Sequence, residues 1–63
     1  MLITFTDAHT KNSIAVNPKE VIVVFTASDD LNAGKTVIGF AGVSVVVDED
    51  YNTVVGSIQG ELK

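Results

Sequence analysis

The chain has 63 residues, eight carboxylates against four lysines, no arginine and no cysteine, for a net charge of −4. That balance argues against a phosphate-backbone partner or an anionic membrane surface, because both are gripped by clustered Lys and Arg. The length allows a single domain (1–63) whose small core needs a staple, and without cysteine neither a disulfide nor a thiolate metal site can serve.

Leu2 to Thr6 alternates, with Ile3 and Phe5 on one face, the period of a half-buried strand. The polar run Asp7-Ala8-His9-Thr10-Lys11-Asn12 reads as a hairpin loop, after which Ser13 to Val16 returns with Ile14 and Val16 inward. Asn17-Pro18-Lys19-Glu20 offers a cap, a proline where a helical turn starts and an acid, enough for one turn. The Met1-Leu2-Ile3-Thr4-Phe5 start lacks a basic region and a long apolar stretch, which sets a cytoplasmic expectation with no membrane span.

Val21-Ile22-Val23-Val24-Phe25 is apolar at every position, the pattern of a strand covered on both faces. Ala27 to Gly34 is a polar connection. Thr36 to Val47 forms a hairpin about Ala41-Gly42; a two-residue loop pairs Phe40 with Val43 and Ile38 with Val45, while a three-residue loop with Gly42 left-handed shifts that pairing. Val37 and Val46 then face away from Ile38, Phe40 and Val45. Asp48 is the expected N-cap of a helix with Tyr51, Val54, Val55, Ile58 and Leu62 on one stripe and Gly60 as its stop. Ile3-Thr4-Phe5 echoes Ile38-Gly39-Phe40, and Ser13 to Asn17 echoes Ser44 to Asp48, as two hairpins built by the same rules do.

Few residues are placed for chemistry. Gly34-Lys35-Thr36 fails as a phosphate loop, since Asp29 stands where the signature needs glycine and a strand pattern follows. Asp48-Glu49-Asp50 reads as acids at a helix start, and Asp29-Asp30 with Ser28 and Asn32 lacks the ligand alternation of a calcium loop. His9 is the one histidine, so it builds neither a metal site nor a triad. The expectation is no catalytic, cofactor-binding or metal residue, and not an enzyme.

From Ala15-Val16-Asn17-Pro18, through Val37-Ile38-Gly39-Phe40, to Val46-Val47-Asp48-Glu49 and Val54-Val55, the spacing resembles the short FlbD-type proteins of flagellar operons. The resemblance implies an Asn-Pro turn between strands, a Gly-containing hairpin and an acid-capped C-terminal helix, with no catalytic residues to carry over. Ala41-Gly42-Val43-Ser44 departs from the Asn-Gly and following basic residues usual in that family.

The predicted fold is α+β, a five-stranded, mainly antiparallel meander with one C-terminal helix packed on one face. Because one helix covers only one sheet face, Ile22, Val24, Val37 and Val46 are the candidate interface, with Val21 and Phe25 taking the place of Ile22 and Val24 if the register of that strand is the other one. The expected role is a small self-associating interaction or adaptor protein, a dimer or ring with room for another protein partner. The alternatives are a small-ligand or peptide-binding module at a subunit interface or sheet edge, and a nucleic-acid regulator, which the charge disfavours.

Overall fold

A computed structural model describes residues 1–28 and 30–62. Among them the order is β1 (Ile3–Thr6), β2 (Ser13–Val16), a 3-10 turn (Pro18–Glu20), β3 (Val23–Thr26), β4 (Thr36–Phe40), β5 (Val43–Val47) and α1 (Tyr51–Leu62). The class is α+β with antiparallel pairing throughout, as the alternation predicts.

The single five-stranded meander is not what forms. β1 and β2 make one sheet, and β3, β4 and β5 make another. The break falls at Asn17-Pro18. Asn17 Oδ1 accepts the Lys19 N–H at 3.0 Å and caps the 3-10 turn, and Pro18, buried and without an N–H, cannot carry a ladder from β2 into β3.

The two sheets meet instead where β1 ends beside β5, at one bridge between Asp7 and Val47. Ala8 N–H donates to Val46 O at 2.8 Å, and Asp48 N–H donates to Thr6 O at 2.9 Å. The ladder stops there for a chemical reason. The Thr6 N–H donates to the Glu49 carboxylate, 3.0 and 3.1 Å from its two oxygens, rather than to the next main-chain carbonyl.

Phe5, Val16, Ile38, Val47, Val54 and Ile58 form the buried core, ringed by Ile3, Ile14, Val21, Val24, Phe40 and Val45. Each sheet contributes its alternate residues, as the period-two pattern requires. From the helix, Val54 and Ile58 are buried and Val55 is half-buried, whereas Tyr51 and Leu62 stay exposed at the ends of the stripe. Thr36 is fully buried, and its hydroxyl donates to the Glu49 carbonyl at 2.8 Å, so this enclosed polar group is satisfied.

The helix cap differs from expectation. Asp50, not Asp48, takes the role: its Oδ1 accepts the Thr53 N–H at 3.0 Å and its carbonyl accepts the Val54 N–H at 3.0 Å. Nor does Gly60 end the helix, which continues to Leu62. The β4–β5 turn follows the two-residue reading, with Phe40 opposite Val43 and Ile38 opposite Val45. Gly42 alone has positive φ, at 78°, so the turn asks nothing unusual of Ala41.

Candidate functional site

The open surface lies on the side of the three-stranded sheet opposite α1. Phe25 pairs with Val37 and Val37 with Val46, so the three side chains lie in one row across β3, β4 and β5. Val23 and Gly39 form the next row with Ser44. Gly39 is covered from above, because a Cβ on it would sit 2.6 Å from Val23 Cγ1. Phe25 is 48% exposed and Val23 47%, while Val37 and Val46 are half-buried.

Of the four candidate interface residues, the structure brings Val37 and Val46 together as cross-strand neighbours. Val24 goes elsewhere: opposite Ile38, it packs on the core. Ile22 is 68% exposed just before β3. Its N–H donates to Gly39 O at 2.8 Å, although Gly39 is already the partner of Val23. Two residues opposite one make a bulge, which breaks the simple alternation that groups Ile22 with Val24. Phe25 belongs to the pair, with Val21, that sequence reasoning weighed against Ile22 and Val24, although Val21 packs on the core; Val23 is the residue it left out of this face. The signal for both was the unbroken apolar run, but choosing between its two faces needs the register.

An ion cluster lies one step along the strands from the apolar row. Lys11 Nζ and Lys35 Nζ each approach Asp48 at 2.8 Å, to Oδ2 and Oδ1 respectively. The hydrogen bond from Lys11, then that from Lys35, holds the Asp48 carboxyl below its ordinary value of 3.8. Asp7 is lowered too, first by the Thr10 backbone N–H and then by that of His9. This Asp7 turn places Lys11 at a φ of 65°. The His9 ring Nε2 meets Asn32 Oδ1 at 3.0 Å, tying the β1–β2 loop to the β3–β4 connection. These contacts join loops and sheets, and both lysines are occupied with the same carboxylate.

Asp29 lies outside the described residues, and with it the Asp29-Asp30 pair. Among the described residues no group of three or more His, Asp or Glu side chains is placed to hold a metal, and no pocket is present. No helix among them is long and apolar enough to cross a membrane.

The fold therefore defines a small antiparallel α+β domain with one uncovered sheet face. Compared with known proteins, the chain matches no family model, no curated protein and no solved structure. The resemblance to FlbD-type proteins thus rests on residue spacing alone.

Proposed function

We propose that this chain is a small, non-catalytic interaction protein that associates with copies of itself through the uncovered face of its three-stranded sheet. The observation that carries the reading is the row Phe25, Val37 and Val46, continued by Val23, on the side of the sheet away from α1. Water contact with such a contiguous apolar surface is costly, and soluble chains that keep one use it for association. The short core adds a second reason, since a subunit interface supplies burial that 63 residues lack.

A binding role is favoured over catalysis by the disposition of the polar groups. His9 is engaged with Asn32, and Lys11 and Lys35 with Asp48, all in contacts that bridge separate segments of the chain. The test is sedimentation or light scattering of the parent beside Val37→Lys. Self-association in the parent that is lost in a folded Val37→Lys supports the proposal, and a parent that stays monomeric at millimolar concentration refutes it.

A further inference from the structure

The β1–β2 hairpin and the rest of the molecule meet along one short seam. The three-stranded sheet keeps α1, which packs chiefly against β3 and the 3-10 turn. Of the buried core, Ile38, Val47, Val54 and Ile58 belong to the sheet and helix, and the hairpin adds Phe5 and Val16. After Val16 a single stretch of chain crosses between the halves at Asn17, which the following proline holds extended at φ −86° and ψ 112°. Because the 3-10 turn rests on α1, it moves with the sheet, and the hinge falls between Val16 and Asn17.

The polar links between the halves gather at the opposite end of the hairpin. Ile3 faces Val16 beside the hinge, whereas Thr6 faces Ser13 at the far end. There Asp48 N–H donates to Thr6 O, Ala8 N–H donates to Val46 O, and Thr6 N–H donates to the Glu49 carboxylate. Lys11 Nζ reaches Asp48 in the same place, and His9 Nε2 meets Asn32 Oδ1. Asp48 and Glu49 are held on the sheet side by contacts that do not involve the hairpin. Lys35 Nζ binds Asp48 Oδ1 at 2.8 Å, and the Thr36 hydroxyl donates to Glu49 O at 2.8 Å.

We propose that the β1–β2 hairpin is a hinged flap that swings about Val16–Asn17, and that the Asp48 and Glu49 carboxylates are the latch that closes it on the sheet. Glu49 is the stronger half of the latch, because its bond to the Thr6 N–H is charge-assisted and partly buried. The Lys11 side chain is 62% exposed, so its pair with Asp48 is screened by salt. Closure seats Phe5 and Val16 in the core. Opening bares the Val46 C=O and Asp48 N–H of β5 beside Val47, which is otherwise fully enclosed. The sheet and α1 stay packed in the open form through their own four core residues, so the flap opens without global unfolding.

Amide hydrogen exchange at low micromolar concentration tests this in the parent, Gly56→Ala and Glu49→Ala. The Thr6, Ala8 and Asp48 amides report the latch, and those of Ile38 and Val45, paired within the three-stranded sheet, report global unfolding. Corrected for intrinsic rates, the latch amides of the parent are expected to exchange together and at least about tenfold faster than Ile38 and Val45. Gly56→Ala stabilises α1 in the open and closed forms alike. It therefore slows Ile38 and Val45 by about two- to fivefold and leaves the latch amides unchanged. Glu49→Ala speeds exchange at Ala8 and Asp48 by about tenfold, although neither amide is bonded to that side chain. Glu49→Gln, which keeps an acceptor without the charge, falls between. Latch amides that slow together with Ile38 and Val45 in Gly56→Ala overturn the flap, because they then open only with the whole molecule. Ala8 and Asp48 amides left unmoved by Glu49→Ala overturn the latch.

Discussion

Gly39→Ala is the sharpest probe of the uncovered face. Gly39 is buried in the middle of β4 and has ordinary negative φ, so alanine meets no backbone strain and on entropy alone adds about 0.5 to 1 kcal/mol of stability. Against this, the new methyl group would lie 2.6 Å from Val23 Cγ1, closer than carbon atoms approach. Val23 must rotate or shift, and displacing a β-branched side chain from its preferred rotamer costs about 0.5 to 1.5 kcal/mol. Since Val23 is 47% exposed it has room to move, which keeps the cost in that range. The two effects nearly cancel, so Gly39→Ala alone shifts stability by no more than about 1 kcal/mol in either direction. In a Val23→Ala background the obstruction is gone and Gly39→Ala becomes stabilising by about 0.5 to 1 kcal/mol. Urea unfolding of the four chains at one low concentration measures the coupling, expected at about 0.5 to 1.5 kcal/mol. Zero coupling would show that Val23 does not lie over Gly39.

Three further outcomes follow from the core, the helix and the carboxylates. Ile58→Ala costs about 2 to 5 kcal/mol in chemical unfolding, because Ile58 is buried in the core from α1; an unchanged midpoint would mean the helix packs elsewhere. Gly56→Ala stabilises by about 0.5 to 1 kcal/mol, since a Cβ there meets no atom within 4 Å and alanine is the better helix former; a loss of stability would reveal a contact on that face. Asp7, Asp48 and Asp50 are all held below their ordinary value of 3.8, Asp50 chiefly by its hydrogen bonds with Thr53. Their contribution is present in full above that value and is lost as pH falls through the lowered native values, so a pH series by circular dichroism shows stability dropping below about 3.8, with the Lys11 and Lys35 part also reduced by salt. Stability that rises on acidification through that range would contradict the ion cluster.

How much of this was legible in the sequence depended on whether the deciding contact was local. Alternation in Leu2 to Thr6 and Thr36 to Val47, the Asn17-Pro18 turn and the Val54 and Ile58 stripe are set by near neighbours, and all of them formed. The N-cap was missed by two residues because Asp48 and Asp50 are equally good caps by residue type. Lys11 and Lys35, distant in the chain, claim Asp48, and the Thr6 N–H claims the Glu49 carboxylate, which leaves the cap to Asp50. The same Thr6 contact ends the β1–β5 pairing, and nothing near Thr6 in sequence announces it. On the candidate interface, Val37 and Val46 followed from the hairpin, whose turn fixes its register. For the Val21 to Phe25 run the sequence left the outward pair open between Ile22 with Val24 and Val21 with Phe25, because every residue is apolar and the phase is set by a bulge opposite Gly39.

The central claim is that the row through Phe25 mediates self-association, and sedimentation equilibrium of the parent beside Phe25→Glu addresses it most directly. Phe25 is half exposed and outside the core, so the variant is expected to fold with the parent's circular dichroism spectrum. The account predicts a parent whose mass rises toward a dimer between micromolar and millimolar concentration and a variant that stays monomeric over the same range. A parent that remains monomeric, or a Phe25→Glu variant that associates as strongly as the parent, would contradict it.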